Sequence, residues 1–462
     1  TGSDKQKAAG VGDDKQQAST DSAVDDDEGR STADSSGSKV SVAAAVGVNV
    51  QNSIVTAAVP DAIVITSGGT LTLSASNNTD GQVTASGAAV GVEDEAGETP
   101  EPSAVGIGAG VAINLAKAQN NATLGVASHS VGGLVIAANK LDVALLMADP
   151  SSEDTKGDVY LASATSGAGA GEVGIAGSVA LNLIDTQSVA MVAAGSTVAI
   201  TGGGSVSLDA DNQTDSTAEA KPVGGGATGE TVGIGASVAL NILANRSTAE
   251  VADGATITGV ADLTLAATAI HSATTDAEAG SAGGVSITPA LGLSMISNTT
   301  MARLGTGSTQ TSSGNVSVSA MQTSTTKAAI GAALALALVD DTALATTARS
   351  VNATGTVTFA AAGASSSTLS AIASASGAAE ADEDGTAQDD AENPDVDTAV
   401  TNELSTGSDK QKAAGVGDDK QQASTDSTVD DDEGRSASTS EGKVSVAAAI
   451  AVNVQNNSVT AA

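Results

Sequence analysis

Residues 105–115 read VGIGAGVAINL, and residues 232–242 read VGIGASVALNI. Large apolar residues and small residues alternate strictly in both stretches, which is the period-two pattern of a β-strand. The motif occurs six times, at 40–50 (VSVAAAVGVNV), 105–115, 173–183 (VGIAGSVALNL), 232–242, 285–295 (VSITPALGLSM) and 328–338 (AAIGAALALAL). Six copies of one strand-forming motif predict an all-β repeat protein.

A shorter strand is predicted after each copy, usually with Thr or Ser between two apolar residues. These second strands are LTL (71–73), LDV (141–143), VSL (206–208), LTL (263–265), VSV (316–318) and VTF (357–359). In the leanest part of the chain the steps from Ser294 to Val316, Ala337 and Val357 are 22, 21 and 20 residues. The spacing predicts a parallel β-helix (β-solenoid) with coils of about 21 residues. The alternative, a string of small β-sandwiches, requires no constant step.

The chain also repeats on a longer scale. Residues 1–30 return as 406–435 with a single change, Ala23 to Thr428, and residues 39–58 return as 443–462 with 16 of 20 positions identical. Such self-similarity is typical of solenoids and fibres, in which each unit packs against the next. We therefore expect one period of about 405 residues and the start of another, as part of a longer tandem array.

The long period divides the chain into four predicted regions. Residues 1–38 are an acidic insertion of the preceding period, and residues 39–379 are a β-solenoid of six two-coil units. Residues 380–442 are an acidic insertion between periods, with 19 acidic and 4 basic residues, and residues 443–462 begin the next solenoid. Shorter polar insertions precede several of the motif strands and are expected to project as loops.

Composition limits both the core and the partners. The chain has no Trp or Cys, one Tyr, one Phe and 53 Gly, so the core must be thin and built from small side chains. The net charge of −36 disfavours nucleic acid and anionic membranes as partners. The longest apolar run, 328–339, is too short to span a bilayer, and no insertion into a membrane is expected. With five Arg and one Tyr the chain also lacks the groove residues of carbohydrate lyases, so we predict that it is not an enzyme.

The large residues of the motif are predicted to form the core. The residues expected to point inward are Val42, Val46, Val48, Ile107, Val111, Ile113, Ile175, Val179, Leu181, Ile234, Val238, Leu240, Leu291, Leu293, Leu334 and Leu336. The opposite face carries Gly, Ala and Ser, and three interpretations of it remain open. It packs against a closely apposed sheet inside the coil, it docks a neighbouring copy, or it is an exposed face of small residues.

The sequence pattern of 232–241 (VGIGASVALN), 247–258 (STAEVADGATIT) and 263–267 (LTLAA) resembles that of very large bacterial surface proteins. These are the filamentous-haemagglutinin-like adhesins and the β-strand-repeat autotransporter passengers. The resemblance covers most of the strand segments and implies a right-handed β-helix, export to the cell surface, and a role in attachment or fibre building. It brings no catalytic residues with it.

One acidic segment has the start of a calcium loop. Glu380, Asp382 and Asp384 place oxygens at positions 1, 3 and 5, and Gly385 stands at position 6. Position 12 is Ala391, where a bidentate Glu is needed, so a solvated charge run is the competing interpretation. Calcium is the one candidate cofactor. The two histidines, His129 and His271, lie in different units, and no metal or catalytic role is expected for them.

Together these features predict a structural tandem-repeat protein that builds an extracellular filament, stalk or matrix by self-assembly. The expected partners are further copies of the same chain, head to tail, with lateral association of fibres as a second contact. The alternative is the passenger region of a surface adhesin, whose insertions bind another cell, a surface or a glycan. The near-identity of the copies at 1–30 and 406–435 favours the structural function, because recognition sites usually diversify between repeats.

Overall fold

The computed structural model describes residues 40–89, 104–140, 157–169, 172–331, 333–372, 444–446 and 450–462. All of them fall in one compact unit, Ala33–Ala462. Every regular element of the described residues is a β-strand. None of them forms a helix of the length and apolarity needed to span a membrane.

The strands, in chain order, are β1 (Val40–Val59), β2 (Thr70–Asn77), β3 (Gly81–Ala89), β4 (Val105–Leu124), β5 (Ser128–Val131), β6 (Gly133–Lys140), β7 (Asp158–Gly169), β8 (Val173–Val192), β9 (Thr197–Ile200), β10 (Val206–Thr228), β11 (Val232–Val251), β12 (Thr256–Thr258), β13 (Leu263–Ala277), β14 (Ser281–Ala282), β15 (Val285–Ile287), β16 (Ala290–Leu304), β17 (Gln310–Ser312), β18 (Val316–Gly331), β19 (Ala333–Thr347), β20 (Val351–Ala353), β21 (Val357–Ile372), β22 (Val444–Val446) and β23 (Ile450–Ala461).

Two large parallel sheets contain most of these strands. The front sheet has the order β1-β4-β8-β11-β16-β19-β23, with β15 and β22 beside it. The back sheet has the order β2-β6-β10-β13-β18-β21, extended by β3, β7 and β14. Two narrow sheets, β12-β9-β5 and β17-β20, pack against the same hydrophobic core on a third side. Parallel strands stacked coil on coil confirm the predicted parallel β-helix class, whereas the handedness of the coil stays a prediction.

Five of the motif copies are neighbours in the front sheet, in the register that the sequence predicts. The sixth predicted strand, 328–338, is wrong in its first part: residues 328–331 end β18 of the back sheet, and only residues 333–338 belong to β19 of the front sheet. Asn49, Asn114, Asn182 and Asn241 are cross-strand partners in turn, and the column continues through Ser294, Ala337 and Asn453. Because side chains alternate with period two, this shared register gives every strand the same inner and outer positions.

The predicted coil of about 21 residues is wrong, because one coil crosses both large sheets. Val105 pairs with Val173, which is 68 residues further along the chain. Even in the leanest stretch Leu291 pairs with Leu334, 43 residues later. The step of 22 residues from Ser294 to Val316 leads from the front sheet to the back sheet of the same coil. Each of the six units is therefore one coil and not two.

One predicted second strand is also misplaced. In the second coil the residue that pairs with Leu71 is Leu134, and Leu134 in turn pairs with Val206. The strand of this coil is thus Leu134–Ile136, and the predicted LDV at 141–143 lies outside the described residues. The correct assignment brings the step from Asn114 to 20 residues, close to that of the other coils.

The interior is narrow at one end and wide at the other. At the start of the front strands the two large sheets nearly touch, and Ala112, Ala180 and Ala239 are among the few side chains between them. At the other end, where the narrow sheets form the third side, larger residues fill the space. These include Leu124, Leu134, Ile136, Val198, Leu208, Ile257, Leu265 and Leu304.

Candidate functional site: the apolar face of the front sheet

The first half of each front strand turns its small residues inward and its large residues outward. On β4 the residues Gly106, Gly108, Gly110 and Ala112 are buried, whereas the large residues between them are partly exposed. The predicted core face is therefore the wrong face, and the first interpretation of the small-residue face is confirmed. It packs against a closely apposed sheet inside the coil.

Backbone contact explains the inversion. A Cβ placed on Gly108 would lie 2.0 Å from the carbonyl oxygen of Gly167 in the back sheet, and one on Gly110 would lie 2.2 Å from that of Thr165. A Cβ on Gly235 would lie 2.1 Å from the carbonyl oxygen of Gly280. Real Cβ atoms do not come so close to a carbonyl oxygen, so these positions require glycine for the two sheets to approach this closely.

The large residues that this packing turns outward form one continuous surface, here called the apolar face. Its members on the strands whose side chains are described are Val42, Val46, Val48, Val50, Ile107, Val111, Ile113, Leu115, Ile175, Val179, Leu181, Leu183, Ile234, Val238, Leu240, Ile242, Ile287, Leu291, Leu293, Met295, Leu334, Leu336, Leu338, Ile450, Val452 and Val454. No charged residue stands among them.

The apolar face is exposed enough to be a binding surface. Leu183 is 47% exposed, Met295 41% and Ile450 59%, and Val46 on the edge strand β1 is 72% exposed. Five strands about 4.8 Å apart contribute about eleven residues each at 3.3 Å, and β19 and β23 contribute about half as many, so the apolar face covers roughly 800 Å². Monomeric proteins rarely leave apolar patches larger than about 600 Å² exposed, and larger ones mark interaction sites.

The second half of each front strand has the usual polarity. After the Asn column the inner positions become large, with Ile184, Leu243 and Ile296 buried. The outer positions become polar and carry both signs of charge, as at Asp185 and Arg246. The apolar face is thus bounded on the same sheet by a mixed polar surface.

The outer face of the back sheet is mostly polar, with Ile270 and Met321 as exposed apolar residues. Its columns hold Ser and Thr, as at Thr72, Ser207 and Thr264, and on β10 the acidic residues Asp209 and Glu219. Burial raises the pKa of Asp209, partly offset by a hydrogen bond from Asn139. Among the residues that the structure describes, the front sheet is the large sheet that presents an extended apolar surface.

Inside the coil, hydrogen bonds from the side chains of the Asn column connect the two large sheets. The Nδ2 of Asn182 donates to the carbonyl oxygen of Thr217 at 2.7 Å. The Nδ2 of Asn241 donates to the carbonyl oxygens of Ser216 and Thr274 at 3.0 and 3.2 Å. These buried amides supply the donors that backbone carbonyls need where water is excluded.

A buried ionic cluster lies deeper in the same interior. The Nζ of Lys140 contacts the Oδ2 of Asp158 at 2.5 Å, and the backbone N–H of Thr79 donates to the Oδ1 of Asp158 at 2.9 Å. Burial raises the pKa of Asp158 although Lys140 acts against that shift. Burial, with the charges of Asp158 and Asp80 in second place, holds the pKa of Tyr160 well above its usual range. The geometry is that of a structural ion pair enclosed by the coil.

The two histidines are buried in different surroundings. The Nε2 of His129 lies 3.2 Å from the carbonyl oxygen of Gly125, and its Nδ1 accepts a hydrogen bond from the N–H of Ile65 at 3.3 Å. His271 has no hydrogen-bond partner at either ring nitrogen, and burial together with the charge of Lys140 lowers its pKa to about 3.

The predicted calcium residues Glu380, Asp382 and Asp384 lie outside the described residues, so that site stays a prediction. Within the described ranges no group of three or more His, Asp or Glu side chains is placed to hold a metal ion. The surface that the structure does bring together, the apolar face, consists of residues that the sequence pattern assigns to the core. The signal that identifies it is the glycine on alternate positions of successive strands.

Comparison with known proteins gives no match to a protein family, to a curated protein or to a solved structure. The function is therefore argued from the repeats and the geometry.

Proposed function

We propose that this chain is a structural tandem-repeat protein whose periods stack into a continuous β-solenoid, forming an extracellular filament, stalk or matrix. One observation carries the proposal. Strand β23, which belongs to the second copy of the long repeat, pairs in register with β19 of the first. The first copy of the same sequence forms β1. The solenoid therefore runs from one period into the next without a change of register.

The pairing of β23 with β19 also continues the side-chain columns of the front sheet into the next period. Asn453 joins the Asn column through Ala337, and Ile450 joins the apolar face through Leu334. Between Ile372 and Val444 the chain makes the long acidic insertion, yet β22 still pairs with β15 and β23 with β19. A further period would thus find the same arrangement of partners that β1 offers to β4.

Location outside the cell is supported by the resemblance to bacterial surface adhesins and by the absence of Cys, which suits a long-lived extracellular polymer. The high negative charge supports solubility of a large assembly and disfavours nucleic acid. The adhesin alternative places the binding function in a distinct head or in the insertions, and the solenoid is then only its stalk.

Arrays of one, two and three periods test the proposal. Each period advances the front sheet by six strand spacings, so the rod should lengthen by roughly 29 Å per period at about 4.8 Å each. Electron microscopy measures this increment, and aligned samples should give a reflection near 4.8 Å along the axis. Particles that grow in width or as separate beads, without this increment, would refute the stacking. A tapered rod ending in a separate head would favour the adhesin alternative.

A further inference from the structure

We infer that the apolar face is a pairing surface for a second copy of the same chain, with the apolar face of one copy packed against that of the other. The inference deepens the proposed function by naming a lateral partner, and it concerns the width of the assembly where the proposed function concerns its length.

The size of the face agrees with this partner. A stable protein–protein interface buries about 800 Å² on each side, and the apolar face offers roughly the same area. Two flat sheets pack with their strands within about 30° of each other and about 10 Å apart, as the inner faces of β-sandwiches do. Val, Ile and Leu in columns along neighbouring strands are the residues that form such inner faces.

The distribution of charge selects the orientation. Two copies that each carry −36 repel one another, so a stable contact must keep the charges apart. The apolar face has no charged residue, whereas the back sheet carries Asp209, Asp211, Asp215 and Glu219 on its outer side. Front-to-front packing buries the uncharged surface and turns both acidic back sheets to solvent.

The same charge disfavours other occupants. An anionic lipid surface would be repelled, and a basic partner would be attracted to the acidic back sheet and not to the front. A contact of one face with the same face of another copy is isologous and closes at two chains. In an array of several periods the faces would repeat along the rod, so that many weak contacts act together.

The test is the association state of the one-period chain, measured by sedimentation equilibrium. Ile113→Lys with Leu240→Lys places two charges in the middle of the apolar face on strands β4 and β11. Gln119→Lys with Ala244→Lys adds the same charge to the polar half of the same two strands. We expect dimers for the parent and the control pair, and a dissociation constant raised by about a hundredfold or more for the first pair.

Circular dichroism and the melting temperature of each variant show whether the fold is kept. Should the lysine pair fail to fold, Ile113→Thr with Leu240→Thr removes apolar surface without charge and should weaken the dimer in the same direction. Raising the salt concentration should tighten the parent dimer, because it screens the repulsion between acidic copies. A monomeric parent, or a folded lysine pair that dimerises as well as its control, would overturn the inference.

The absence of Cys allows the occupant to be identified directly. With Leu181→Cys the only thiol lies on the apolar face, and maleimide should modify it slowly in the dimer and rapidly after dilution to monomer. Slow modification in the diluted monomer would mean that a segment of the same chain covers the face. Binding of the monomer to phosphatidylcholine vesicles, lost in the lysine pair, would assign the face to lipid. Both results would overturn pairing, and neither would alter the expected length increment of the arrays.

Discussion

The two halves of each front strand follow opposite rules. Up to the Asn column, Gly and Ala point into the coil and Val, Ile and Leu point out. Beyond it, large residues point in and polar residues point out. On β8, Leu183 is the last large residue that points out and Ile184 is the first that points in. The difference teaches that the width of the interior decides which face is buried. Where two backbones nearly touch, no large side chain fits between them, whatever its hydrophobicity.

The largest difference in stability is expected between two variants that place a charge on the inner side and on the outer side of the same front strand. Ala239 is fully buried and Val238, its neighbour, lies on the apolar face. Ala239→Asp should lower the free energy of unfolding by several kcal/mol, because it buries a charge without a partner. Val238→Asp should cost under about 1 kcal/mol in the monomer. Urea unfolding of both variants measures the difference, and equal losses would mean that the faces are not opposed.

A single methyl group should also discriminate between the faces. Gly108→Ala places a Cβ against backbone oxygens of the back sheet and should cost about 3 kcal/mol, since neither backbone can move away without breaking its ladder. Gly177 lies on the outer side of β8, and the nearest atom to a Cβ placed there would be the carbonyl oxygen of Ala236 at 3.9 Å. Gly177→Ala should therefore leave the melting temperature unchanged, and a loss as large as that of Gly108→Ala would contradict the close approach of the sheets.

The inner side of the back sheet should make the protein sensitive to acid. His271 is buried with a pKa lowered to about 3, whereas in the unfolded chain its pKa is near 6.5. Protons then bind the unfolded chain better, so stability is complete above pH 6.5 and falls by about 1.4 kcal/mol per unit as the pH drops towards 3. At pH 5 the free energy of unfolding is therefore lower than above pH 6.5 by roughly 2 kcal/mol.

His271→Thr is the variant that measures this contribution, because Thr214 and Ser324 occupy the same column of the back sheet. Its stability should decline less than that of the parent between pH 7 and pH 4 in urea titrations. His129→Thr serves as the comparison for a histidine with hydrogen-bonded ring nitrogens. Parallel pH curves for the parent and His271→Thr would show that the buried imidazole does not couple folding to protons.

The smallest effect is expected in the Asn column. Asn241→Ala leaves the carbonyl oxygens of Ser216 and Thr274 without their side-chain donor and should cost about 1 to 2 kcal/mol. Gln187→Ala, on the outer polar half of β8, should change the free energy of unfolding by less than about 0.5 kcal/mol. An Asn241→Ala variant as stable as Gln187→Ala would remove the column from the contacts that join the two sheets.

The strands and their register could be predicted from the sequence, because the motif is long, regular and repeated. The Asn of each motif marks the same column in the structure, from Asn49 to Asn241. The coil length could not, since an even step of about 21 residues arises equally from one coil with two long strands and from two short coils. The register between Leu291 and Leu334 distinguishes them, and that register is a contact between distant residues.

The direction of the side chains was predictable only in part. Alternation shows that two faces exist, and hydrophobicity then assigns the larger residues to the core, which is wrong wherever the partner sheet is in backbone contact. On β13 hydrophobicity is also a poor guide, because Ile270 lies outside, 45% exposed, and His271 lies inside. On β4 the carbonyl groups of Gly167 and Thr165 enforce the inversion from a different strand, so no local pattern contains the information.

The parallel arrangement of the front sheet also gives any rod built from these coils a direction. Every strand of the sheet runs the same way, and the order from β1 to β23 follows the chain. A strand added beyond β23 and one added before β1 would meet different edges, because each edge exposes its own set of N–H and C=O groups. Such a rod resembles a polar polymer, with two unlike ends that could grow, be capped or be anchored independently.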